Sequence, residues 1–278
     1  MKKAGGHRNF GYGKQMTWAG KQALRDQYGN GHYGPVTGHA ERWRRFVTWC
    51  RDERNLRDAR LIDKEVVQDY GKSLGDKVDA GMSPAYAQNL LSSVNVVMQA
   101  MRSDRQIRVA PVEFVGQRSR IRTDPPAGLD QRAVRQCGDQ LRREGHERVA
   151  ATVEVARALG LRLKEASLLN ARVALGQVTK HGAVNITAGT KGGRGHRVDR
   201  WVPVSGAAIG CLVRAARAQG SGRNLIPSHL TWKQWYSHIH HVWASVRDDY
   251  GLKKIHDLRA AYACERFRQL TGSAAPVI

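Results

Sequence analysis

Ile255-His256-Asp257-Leu258-Arg259 opens the last helical stretch of the chain and places a histidine and an arginine three residues apart. On a helix start that spacing puts both side chains on one face. The arginine can hold a phosphodiester with its planar fork of donors while the histidine gives or takes a proton. Two earlier stretches extend the pattern. One is Ala158-Leu159-Gly160-Leu161-Arg162-Leu163-Lys164-Glu165, and the other is the glycine-rich Thr190-Lys191-Gly192-Gly193-Arg194-Gly195-His196-Arg197. Taken in order, they supply cations to neutralise a phosphate and groups to move a proton, which is what chemistry on a nucleic-acid strand requires.

Composition agrees with such a partner. The 278 residues carry 46 Lys and Arg against 24 Asp and Glu, a formal charge of +22, with 41% hydrophobic and 25% charged residues. That is the composition of a globular chain with room for two domains. So much positive charge repels itself unless a polyanion neutralises it, and its spread along the whole chain favours an enclosing surface over a basic tail. Cys50, Cys137, Cys211 and Cys264 stand far apart, without the paired spacing of zinc or redox sites, and read as buried thiols in a reducing cytoplasm. The start, Met1-Lys2-Lys3-Ala4-Gly5-Gly6-His7-Arg8, precedes no apolar segment and no run reaches membrane-spanning length, so a cytoplasmic protein without membrane contact or targeting signal is expected.

Periodicity divides the chain. Residues 1–36 mix Gly, Lys, Arg and His with scattered aromatics and read as a basic N-terminal arm, with one short helix over Gln15 to Gln27. From Thr37, as a helix cap, Ala40, Trp43, Phe46, Val47 and Cys50 recur at helical spacing. Asp63 caps a second helix with Val66, Val67, Tyr70 and Leu74, and Ser83-Pro84 opens a third through Met101. Residues 37–105 are thus expected to form a helical bundle. Residues 106–127, rich in Arg and ending in Thr123-Asp124-Pro125-Pro126, read as a linker. The remainder, 128–278, is expected to be helical, broken by a small antiparallel sheet between Ala171 and Val204, where Val173, Val178, Val184, Ile186, Val198, Trp201, Val202 and Val204 alternate between glycine-containing turns. The fold class is therefore mainly α with a small antiparallel β-sheet.

The Leu161-Arg162-Leu163-Lys164-Glu165 box, a lysine in a hairpin and the His256-x-Leu258-Arg259 box, in this order, resemble the tyrosine recombinases, the phage-integrase family of DNA strand-transfer enzymes. The resemblance spans most of the chain: an arm, a helical core-binding (SAM-like) domain over 37–105, a linker, and a catalytic domain over 128–278. It implies DNA integration and recombination for a mobile element, duplex DNA clamped between the two domains, and self-association on that DNA. It implies no cofactor and no metal.

The chemistry gives each residue a role. Arg162 and Arg259 fit as the pair of preorganised cations that neutralise the non-bridging oxygens in transesterification. Glu165, one helical turn after Arg162, can orient its guanidinium, or can be an ordinary helix carboxylate. His256 resembles the family's acid/base histidine. Lys191, flanked by Gly189 and Gly192-Gly193, can reach into a groove and protonate the leaving 5′ oxygen, with Lys180 as a neighbouring alternative. The same glycines do not form a nucleotide-binding loop, since no Gly-x-x-x-x-Gly-Lys-Ser/Thr pattern is present. His238, His240 and His241 lack partner ligands at metal spacing and read as a helix surface.

The nucleophile is the departure from the family. A tyrosine on a later helix is expected by resemblance, but after Arg259 only Tyr262 follows, one turn on along the same helix, where a core aromatic is the expected reading. Tyr236 and Tyr250 precede the His256 box and break the family order. The chain is thus read as a recombinase catalytic domain incomplete at its C-terminal side, with the nucleophile unassigned. Two other classes stay open: a non-enzymatic DNA-binding regulator, or pseudo-recombinase, and an RNA-associated basic protein.

Overall fold

The chain divides at Ile121 into two units, each built around its own apolar residues. The computed structural model describes residues 7–119 and 121–278. In the first unit helices α1 (Met16–Tyr28), α2 (Tyr33–Arg54), α3 (Lys64–Asp79), α4 (Pro84–Arg102) and the short α5 (Pro111–Val115) surround Trp43, Phe46, Leu74, Leu91 and Met98, all withdrawn from solvent. Asp63 caps α3 by accepting from the Val66 N–H at 2.9 Å, and Pro84 occupies the first turn of α4, where a missing N–H costs nothing.

Three expectations for this unit need correction. The short helix expected over Gln15 to Gln27 forms as α1, but it is no free arm: its Ala19, Ala23 and Leu24 are fully buried in the same core. The Trp43 indole donates to the Met16 carbonyl at 2.9 Å and passes over Gly20, where a Cβ would collide with its ring. Thr37 is not a cap: α2 starts at Tyr33, with Pro35 in the first turn, the one helical position that tolerates it. The expected linker is shorter than 106–127, because Ile107, Val109 and Val115 are buried in the first core and α5 packs on α3 and α4.

The second unit contains α6 (Gln131–Arg143), α7 (Glu147–Ala158), α8 (Leu163–Leu168), α9 (Ala171–His181), strands β1 (Ala183–Asn185) and β2 (Trp201–Pro203), α10 (Gly206–Gln219), α11 (Trp232–Val246) and α12 (Ile255–Thr271). Helix α7 is its axle. Every residue from Val149 to Arg157 is buried, with Ala151, Val155 and Ala156 in one cluster and Val149, Ala150 and Val153 in the other. A helix almost wholly apolar belongs inside, and the two charged members carried with it are paired. Glu154 meets Arg214 at 3.0 Å and Arg142 at 2.6 Å, and Arg157 meets Glu265 at 2.7 Å.

The antiparallel sheet has two strands, with Ala183 opposite Pro203, Val184 opposite Val202 and Asn185 opposite Trp201. It is smaller than the alternating valines suggested. Val173 and Val178 lie in α9, which starts with the Asn170 side chain accepting from the Val173 N–H at 3.3 Å and ends at Gly182 in the left-handed region. Those two end signals outweigh the strand preference of the β-branched residues between them. The architecture is mainly α with a small antiparallel sheet. Among the described residues no helix is long and apolar enough to cross a membrane.

Candidate active site

Arg162 sits where α7 gives way to α8. The chain turns there at Gly160, in the left-handed region at φ +60°, and a Cβ at that position would overlap the ring of Tyr262 on α12. Glycine is therefore required both by backbone and by space. Arg162 is the cap residue of α8, and Glu165 reaches back to accept from its N–H at 2.8 Å, as the third residue of a helix does in a capping box. Below, the Trp235 indole donates to Ser167 Oγ at 3.0 Å and anchors α8 to α11.

Glu165 is the centre of the site. Its side chain is 0% exposed, yet it is a full negative charge surrounded by three guanidinium groups. Arg162 Nη1 donates to Oε1 at 2.8 Å, and Arg200 donates from Nη1 and Nη2 to both oxygens at 3.1 and 2.9 Å. Arg259 Nη1 stands 3.8 Å from Oε2 and donates to the Gly160 carbonyl. Burial pushes the Glu165 carboxyl up, but donors from Arg200 and from the Arg162 backbone and side chain outweigh it and hold it below the usual value. Burial, then the neighbouring Arg162 charge, pushes the Arg259 guanidinium down, against the pull of Glu165. Three cations facing one carboxylate leave an excess of positive charge at the surface of the cluster, where each arginine remains about a third exposed.

A cavity of about 330 Å³ opens beside two of these arginines and is lined by Gly160, Arg200, Val202, His256, Arg259 and Tyr262, among others. His256 is exposed at its rim, in the first turn of α12. Asp257 beside it is buried and accepts from both terminal nitrogens of Arg122 at 3.1 Å, which pins the start of the helix that carries His256 and Arg259. Tyr262 is half-buried, packed into the second-unit core with its ring against Gly160, so it forms a wall of the cavity.

Lys191 begins a 3-10 turn, Lys191–His196, in the connection between β1 and β2. Its side chain is exposed. The backbone just before it lies against the Arg162 turn: a Cβ on Gly189 would stand 2.8 Å from the Lys164 carbonyl oxygen and 3.0 Å from the Glu165 nitrogen. The glycine thus lets the hairpin connection approach the cluster. Lys180 is exposed in the last turn of α9. His238 lies edge-on to His146 and tilted against Trp235, at 5.9 and 5.6 Å between ring centres, and His240 packs on Tyr236 at 4.3 Å. Among the described residues no group of three or more His, Cys, Asp or Glu is placed to hold a metal.

Arg162, Glu165, Arg259 and His256 therefore come together from two elements far apart in sequence. Arg200 is the member that sequence reasoning missed. Its signal was available only in part, as a cation immediately before the apolar triplet Trp201-Val202-Pro203. The register of β1 with β2 places it, through the Ile186 N–H on the Arg200 carbonyl and the Arg200 N–H on Asn185 Oδ1, both at 3.0 Å.

The family model described as Integrase matches residues 121–265, more than half of the chain and all of the cluster just described. The chain belongs to the integrase family. It is of the tyrosine-recombinase type, and its function is DNA integration. Among solved structures, this integrase is similar to a lambda integrase (75–356) dimer bound to a COC′ core site, at 14% identity and a TM-score of 0.57, over 90% of this chain and 88% of that one. A lambda integrase tetramer bound to a Holliday junction is similar at 12% identity and the same TM-score of 0.57, over 90% of this chain and 69% of that one. At such identities the likeness is one of fold. No curated protein sequence matches the integrase.

Proposed function

We propose that this integrase holds a phosphate of duplex DNA on Arg162, Arg200 and Arg259, with Glu165 ordering the three guanidinium groups. The buried Glu165 carboxylate carries the reading, because an ion withdrawn from solvent among three cations about a third exposed preorganises their remaining donors at the surface. In strand transfer a hydroxyl attacks phosphorus, a new P–O bond forms and the bond to the 5′ oxygen breaks. Charge then builds on the non-bridging oxygens, where the arginines stand. His256 takes or returns the proton of the attacking hydroxyl, and Lys191 protonates the departing 5′ oxygen. Tyr262 serves as a packing aromatic, and the attacking group is not assigned to it.

The helical unit around Trp43 is the core-binding domain in this reading and adds DNA contacts of its own. Phosphate contacts from the +22 chain dominate the affinity. The dimer and tetramer assemblies of the similar lambda integrase support self-association on DNA. Competition between duplex DNA and RNA of equal length tests the partner, and duplex DNA is expected to win. A covalent-trapping assay on a nicked duplex tests Tyr262: any adduct should survive Tyr262→Phe, and an adduct lost with that variant would make Tyr262 the nucleophile.

A further inference from the structure

Along one flank of α11, beside its buried face, Trp232, Tyr236 and His240 succeed one another at intervals of four residues. Their rings form a continuous ladder, with centres 5.7 and 4.3 Å apart and planes inclined at 62° and 56°. Tyr236 is 47% exposed and His240 is exposed as well, while Trp235, Ile239, Val242 and Trp243 of the same helix fill the core. Trp232 is half-buried against the core and seats the ladder; single exposed aromatics need no explanation, but two exposed rings in line with it on a highly charged chain do.

Cations frame the ladder. Lys164 Nζ lies 5.8 Å from the centre of the Trp232 ring, Lys233 is exposed next to it, and Arg247 is near enough to His240 to join burial in lowering its pKa. Lys164 is two residues after Arg162, so the Trp232 end of the ladder lies beside the turn that carries Arg162. From Trp232 to His240 a helix rises about 12 Å, the length of three to four bases stacked at roughly 3.4 Å each.

We propose that Trp232, Tyr236 and His240 form a stacking platform for unpaired DNA bases next to the phosphate site. Aromatic faces interleaved with cations bind single strands without regard to sequence, because every base offers a π face and every nucleotide a negative charge. Exchange of strands between duplexes leaves bases near the broken phosphate without partners, and a platform continuous with the cluster would hold them until they pair again. The inference rests on the assignment of the cluster as a DNA-phosphate site, and it adds a different ligand, the base.

Affinity for an intact duplex and for the same duplex with a gap of a few nucleotides separates the two. The wild-type chain should prefer the gapped probe. Tyr236→Ala and His240→Ala should each weaken gapped-duplex binding about five-fold or more, with intact-duplex binding unchanged, and Tyr236→Phe, which keeps the ring, should retain the preference. Equal weakening on both probes, or none on the gapped one, overturns the platform. Should Arg162→Ala still weaken intact-duplex binding in that case, the phosphate site stands and the platform alone falls. Failure of the wild-type chain to bind either probe overturns both.

Discussion

Replacing Glu165 by glutamine removes one charge and keeps the shape, which isolates the electrostatic role of the carboxylate. In the native protein it accepts four hydrogen bonds, from the Arg162 N–H and Arg162 Nη1 at 2.8 Å and from the two Arg200 nitrogens at 3.1 and 2.9 Å. Breaking a fully buried ion pair costs about 3–5 kcal/mol, because the surviving charge is stranded. Here the survivors are arginines 33–39% exposed, which water screens, so the expected loss is smaller, about 2 kcal/mol. For a unit of this size that corresponds to a fall in melting temperature of roughly 4–8 °C.

The pH dependence follows from the direction of the Glu165 shift. Its carboxyl is held below the ordinary value in the folded protein, so its contribution is fully present above the unfolded value of about 4.3 and is lost as pH falls through the folded value. Thermal unfolding of the wild-type chain and of Glu165→Gln at pH 7 and in acid provides the measurement. The difference should be full at neutral pH and shrink below pH about 4. Equal melting temperatures at pH 7, or a gap that persists undiminished in acid, would refute the reasoning.

Two predictions concern packing. Gly160→Ala places a Cβ into the Tyr262 ring at a backbone conformation that favours glycine, and should destabilise the second unit by about 1–3 kcal/mol; an unchanged denaturant midpoint would show that the Gly160 turn relaxes freely. Trp43→Phe removes the indole bond to Met16 and leaves a void beside Gly20, so hydrogen exchange of the α1 amides should accelerate roughly ten-fold or more for a loss of about 1.5 kcal/mol. Unchanged exchange in α1 would mean that this helix does not depend on Trp43 for its seat.

What was legible in the sequence was local. Arg162 and Glu165 share one helix start, and His256 and Arg259 share another, so the spacing alone aligns each pair. Arg200 meets Glu165 across 35 positions through the register of a two-stranded sheet, and no short pattern encodes that. Helix α1 was read over Gln15 to Gln27, but its place in the core was hidden for a different reason. Its buried stripe is Met16, Ala19, Gly20, Ala23 and Leu24, and small residues give a weak hydrophobic signal even where they permit the closest packing. Val173 and Val178 suggested strands, yet the Asn170 cap and Gly182 terminus fold that stretch as α9, since cap geometry decides short segments more strongly than side-chain preference.

The central claim is that Arg162, Arg200 and Arg259 contact DNA phosphate. The most direct test is the dependence of duplex affinity on salt concentration for the wild-type chain and for each arginine replaced by alanine. A side chain on a phosphate releases counterions, so each variant should bind more weakly at all sequences and lower the slope of log affinity against log salt by roughly 1. Variants with wild-type affinity and an unchanged slope would contradict the account, and would leave the three guanidinium groups as a structural knot around Glu165.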